Sequence, residues 1–103
     1  MRSIRLSRTY TEQLTDYLDA GEQRFGRAVA DAKRAKVVET LRLLAHNPRI
    51  KRRHPDLGLV VYPVGDTPFF LVYDYDDAEL RVLYIFINGK PLSDIDPAAV
   101  DWS

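Results

Sequence analysis

The chain has 103 residues, 46% hydrophobic and 29% charged, which is the profile of one globular domain and excludes a disordered segment. It has no cysteine, so a disulfide scaffold, a thiolate metal site and a cysteine nucleophile are excluded together. The fifteen basic and fifteen acidic residues cancel, but residues 1–54 hold 13 basic and 6 acidic, and residues 55–103 hold the other 2 and 9, so one half carries +7 and the other −7. A pI argument for nucleic-acid binding therefore fails, while a local basic surface stays open. The first residues contain no apolar run of signal-peptide length. The longest apolar stretch, Val82 to Ile87, is too short to span a bilayer, and a cytoplasmic protein is expected.

The first expected element is a short, half-buried strand over Arg2 to Leu6, with Ile4 and Leu6 on one face and Arg5 on the other. Thr9 and Glu12 have the spacing of a capping box, and Tyr10, Leu14, Tyr17 and Leu18 form the apolar stripe of the helix that follows. Gly21 and Gly26 punctuate the chain, with Phe25 expected to pack between them. A longer helix runs from about Arg27 to His46 with the stripe Ala28, Ala32, Ala35, Val38, Leu41, Leu44 and Ala45. Its small residues predict a close helix crossing at Ala32 to Ala35, and Asn47-Pro48 ends it.

Leu59 to Val64, Phe69 to Tyr75 and Leu80 to Ile87 are rich in β-branched and aromatic residues and are joined by hairpin-length spacers, which predicts an antiparallel meander. The second and third of these strands are apolar on both faces. One face belongs under the helices. The other needs a cover, either the tail carrying Leu92, Ile95, Val100 and Trp102 or something outside the chain. The expected fold is α+β in the order β-α-α-β-β-β, a helical hairpin packed on one face of a small, mainly antiparallel sheet.

The basic run Arg49, Lys51, Arg52, Arg53 and His54 is the leading candidate site. Four cations in five residues repel one another and need water or an anionic partner, so the run reads as a binding surface or as a solvated loop. Asp74, Asp76, Asp77 and Glu79 gather at a hairpin tip, where turn chemistry and edge protection explain them better than a metal does. No metal or other cofactor is expected. His46 has the position of a helix-dipole partner, and His54 is a weak acid–base candidate because no serine–histidine–carboxylate pattern surrounds it. Tyr62, Tyr73, Tyr75 and Tyr84 fall on strands, where aromatic residues are more often core than base-stacking platforms.

In the order and spacing of these features the chain resembles the RelE/ParE superfamily, the toxins of bacterial type II toxin–antitoxin modules. The resemblance rests on the first strand, the helical hairpin, the junction Leu44-Ala45-His46-Asn47-Pro48-Arg49-Ile50, the strand Phe70-Leu71-Val72-Tyr73 and the strand end Leu83 to Lys90. It spans residues 1–103 as a single toxin domain. It implies an antitoxin segment, acidic or amphipathic, lying across the exposed apolar and basic surface, with DNA contacted only through that antitoxin. RelE-like members cut mRNA on the ribosome with cations on the central strands. ParE-like members inhibit DNA gyrase. Here Phe70 stands where the RelE pattern has an arginine, Pro91 follows Lys90 where another is common, and Leu59 to Val64 holds no lysine. Arg81 is the only cation on the three later strands, so the nuclease set is largely missing. The resemblance therefore implies a ParE-like gyrase inhibitor bound through Arg49, Lys51, Arg52, Arg53, Tyr73 and Lys90. The alternatives are a nuclease drawing on His54, Arg81 or Lys90, or a non-toxic member that only binds an antitoxin.

Overall fold

The structure is a computed structural model that describes residues 2–103; Met1 and the side chain of Leu92 lie outside the described part. The chain opens with strand β1, Ser3–Leu6, and turns at Ser7 into helix α1, Arg8–Phe25. Ser7, not Thr9, is the N-cap. Its Oγ accepts the Tyr10 N–H at 2.8 Å and donates to the Leu83 carbonyl at 2.7 Å, so a fully buried hydroxyl serves the helix start and the sheet together. Thr9 and Glu12 form no capping box, because the helix has already begun before Thr9; Glu12 pairs with Arg8 at 2.9 Å instead.

Helix α2, Arg27–His46, follows after one residue. Gly26 has φ 91°, a backbone conformation that a side chain disfavours, and this makes the one-residue reversal possible. Gly21 lies inside α1 and does not break it. Phe25 is 61% exposed rather than packed, since it sits at the hairpin tip beyond the sheet. The α2 stripe is also turned from its expected face. Ala30, Val37, Leu41, Leu44 and Ala45 are buried, whereas Ala28, Ala32, Ala35 and Val38 face outward, so no close crossing forms at Ala32 to Ala35. Large side chains fixed the phase of the helix; alanines contribute too little buried area to set it.

Three further strands follow: β2, Val60–Pro63; β3, Phe69–Tyr75; and β4, Glu79–Ile87. The sheet order is β1-β4-β3-β2, with β1 parallel to β4 and the other pairs antiparallel. Two helices on one face of a four-stranded, mainly antiparallel sheet is the α+β arrangement expected. Where β4 runs past the end of β1, α1 takes over its hydrogen bonds: the Ile85 N–H meets the Gln13 Oε1 at 3.0 Å.

The sheet has a core on each side. Under the helices lie Val60, Leu71, Tyr73, Leu80, Val82 and Ile85, packed by Tyr10, Leu18, Val37, Leu41 and Leu44. On the far side Leu59, Val72, Leu83, Tyr84 and Phe86 are covered by Ile95, with Val100 and Trp102 alongside. A bulge at Val72/Tyr73 places Val72 opposite Tyr84 and Tyr73 opposite Val82, leaving Leu83 as the extra residue. Both Leu83 and Tyr84 thereby join the far-side cluster. The tail is latched by hydrogen bonds. The Tyr84 hydroxyl donates to the Asp96 carbonyl at 2.6 Å, and the Asp101 carbonyl accepts the Arg8 N–H at 2.7 Å at the start of α1. Trp102 lies under the Arg5 guanidinium, 4.8 Å from the ring centre. Ile4 and Leu6 are 36% and 44% exposed, not half-buried, because β1 is an edge strand. Among the described residues no helix is long and apolar enough to cross a membrane.

Candidate functional site

The basic run begins where α2 ends. Asn47 caps the helix, Pro48 opens a short 3-10 turn over Pro48–Ile50, and the chain then passes along the outside of β2. Tyr73 pins this turn from below, its hydroxyl donating to the Pro48 carbonyl at 2.8 Å. Tyr73 is wholly buried, and burial raises its phenol far above the usual value. A partner cannot reach it, so Tyr73 supports the basic loop and is not itself a contact residue. The sequence overstated its accessibility because tyrosine suits rims and cores equally.

Arg53 is likewise committed inside the protein. Its guanidinium donates to the Gly58 carbonyl, the Asp74 carboxylate and the Tyr75 carbonyl, and lies 4.4 Å from the centre of the Tyr75 ring. These contacts fasten the loop to β3 and use up the fork of the side chain. His54 forms a turn: its backbone N–H donates to the Leu59 carbonyl at 2.7 Å, and its Nδ1 accepts the Asp56 N–H at 3.2 Å. The catalytic reading of His54 gains nothing from this placement. What the run leaves outward is Arg49, Lys51 and Arg52, all exposed and without ion pairs among the described residues.

The acidic hairpin tip is neutralised from within. Arg81 meets Asp76 at 2.8 Å, Glu79 at 3.1 Å and Asp74 at 3.5 Å. Burial alone would raise the Asp74 carboxyl, but hydrogen bonds from Arg53 and the Tyr75 N–H, with the charges of Arg53 and Arg81, hold it below the usual range. Asp76 is held at about 2, chiefly by the Arg81 hydrogen bond and then by the N–H groups of Glu79 and Ala78. Those two N–H bonds, at 2.9 and 2.8 Å, build the turn itself. Among the described residues no group of three potential ligands is placed to hold a metal. Arg81, the one strand cation expected to serve a nuclease, is shared by three carboxylates and offers no free donor fork to a phosphate.

Two hollows lie on the tail side of the sheet, near the edge the tail leaves uncovered. One, of about 200 Å³, is lined by Val61, Phe70, Phe86 and Ile87, with Asn88, Gly89 and Lys90 at its rim. The other, shallower and about 500 Å³, runs from Ile50 through Lys51, Arg52 and His54 to Pro55 and again to Val61. Val61 is common to both, so the two are continuous over β2. The structure thus brings Lys51, Arg52 and Lys90 around one apolar floor. It sets Arg53, Tyr73 and Arg81 apart as internal supports. The floor residues were missed as site residues, although a strand apolar on both faces already pointed to a surface needing a cover.

This groove has no general acid–base pair aimed into it, and an apolar floor with cations at its ends suits binding rather than proton transfer. A family model described as the ParE toxin of type II toxin–antitoxin system, parDE, matches residues 4–88. No curated protein matches. A solved structure titled as the chromosomal ParDE TA system from P. aeruginosa superposes with a TM-score of 0.75 at 19% identity, covering 85% of this chain and 97% of that one, which establishes a common fold. The family match takes in both helices and all but the first residue of the four-stranded sheet, and the chain belongs to the ParE toxin family of type II toxin–antitoxin systems.

Proposed function

We propose that this protein is the toxin of a type II toxin–antitoxin module, acts in the cytoplasm, and arrests growth by binding DNA gyrase until a cognate antitoxin neutralises it. The observation that carries the reading is the tail-side groove. Phe70 forms its floor, and Arg81 is engaged by Asp74, Asp76 and Glu79. An RNA-cleaving centre needs cations free to stabilise a developing phosphorane and a group to activate the 2′-hydroxyl. A protein-binding toxin needs neither. Family membership supports the same side of the choice.

The test is expression without an antitoxin, followed by a supercoiling assay on purified gyrase. Filamentation, a DNA-damage response and inhibited supercoiling are expected. Rapid arrest of translation with cleaved transcripts would transfer the protein to the nuclease class, with Lys51, Arg52, His54 and Lys90 as the residues to examine. Harmless expression of folded protein would leave only an antitoxin-binding member.

A further inference from the structure

We propose that the cleft of Val61, Phe70, Phe86 and Ile87, with Lys51 and Arg52 at one end and Lys90 at the other, seats an acidic polypeptide segment that inserts a bulky apolar side chain. This rests on the reading that a protein partner holds the chain, and adds the place and the chemistry of the contact.

The floor comes from three neighbouring strands, Val61 on β2, Phe70 on β3 and Phe86 on β4. A segment filling it therefore crosses the strands rather than adding to a sheet edge. At about 200 Å³ the cleft has room for a side chain, not for a folded element. Ile50 and Ile87, at 43% and 42% exposure, extend the apolar surface to either side.

Charge decides what kind of segment this is. The two continuous hollows are lined by Lys51, Arg52, Arg53 and Lys90 and by no acidic residue. The outward face of α2 has hollows too, but Asp31, Glu39 and Asp66 alternate there with Lys33, Arg34, Lys36 and Arg42, so it selects no sign of charge. Lys51, Arg52 and Lys90 have no ion pair among the described residues, so carboxylates of a partner would be their first. A second copy of the chain is a poor occupant, because its acidic tip is already satisfied by Arg53 and Arg81. A nucleic acid fits less well than a polypeptide. A phosphate backbone wants cations along its whole track, whereas here they flank an apolar pit.

The test titrates the whole chain with a fluorescein-labelled short peptide of alternating Glu and Leu, and separately with labelled decauridylate. The peptide binds, and the double variant Arg52→Glu with Lys90→Glu weakens it by about tenfold or more. Both residues are exposed, so a thermal melt should report an unchanged fold. Arg34→Glu on α2 changes the affinity less than about twofold. Phe70→Lys separates anchor from charge: it adds a cation yet lowers affinity, because the floor is lost. No binding of the peptide, equal affinity in the double variant, or tighter binding of decauridylate than of the peptide would each overturn the proposal. The toxin reading stands or falls separately, on growth arrest in cells.

Discussion

Arg52 and Arg53 are neighbours in sequence with opposite duties. Arg52 is exposed and unpaired, while Arg53 joins the loop to β3 through two carbonyls, a carboxylate and an aromatic face. Arg53→Ala should cost about 1–2 kcal/mol, given partly exposed ion pairing and a cation–π contact of ordinary size. That is a fall of roughly 5–15 °C in Tm for a domain of this size. Arg52→Ala should stay within about 0.5 kcal/mol. Equal melting temperatures for the two variants would remove the structural role assigned to Arg53. A second residue-scale expectation concerns pH. Asp74 and Asp76 have folded values below their unfolded ones. Their contribution is therefore fully present above about pH 4 and is lost as pH falls toward about 2. In urea unfolding followed from pH 5 to pH 2, Arg81→Gln should flatten this acid limb, since Arg81 is the largest cause of the Asp76 shift. An unchanged slope would dissociate the arginine from that titration.

At the scale of elements, Ser7 makes the most economical join, serving α1 and β4 with one hydroxyl. Ser7→Ala removes the cap and leaves the Leu83 carbonyl without this donor, and should cost about 2 kcal/mol. Glu12→Ala should cost no more than about 0.5 kcal/mol, since it loses only an exposed i,i+4 pair. The reverse order in chemical denaturation would restore the capping box. All six main elements are legible in the sequence, because period and length agree: the expected Arg27 to His46 and Phe69 to Tyr75 match the observed helix and strand end to end. Which face each element buries is less legible. Local sequence does not show that β1 is an edge, that the bulge leaves Leu83 beside Tyr84 on the tail side, or that Val37 rather than Val38 meets the sheet. The site divides the same way. Exposed Arg49, Lys51, Arg52 and Lys90 follow from their charge, but Arg53 and Tyr73 acquire their roles only from partners 20 or more residues away.

For the whole molecule, the tail decides how much of the second core faces water. Ile95 is almost fully buried on the far side of the sheet, and Asp101 holds the start of α1. Ending the chain after Asp94 should cost roughly 3–5 kcal/mol, from one buried and two half-buried apolar side chains. Against a total of about 5–15 kcal/mol, this leaves a marginal fold. The shortened protein should bind a hydrophobic dye and melt at least about 10 °C lower. A truncated chain that melts normally would show that the tail only rests on the sheet.

The parallel pairing of β1 with β4 has a consequence in time. Ile4 pairs with Leu80, so the first strand has no neighbour in the sheet until residues 79–82 have been synthesised. At roughly 5–20 residues per second the helical hairpin is complete seconds before the sheet can close. For that interval Ile4 and Leu6 wait beside a nascent chain with no finished surface to offer. A growth-arresting protein built in this order completes its contact surface only near the end of its own translation, which gives a partner made from the same message a head start.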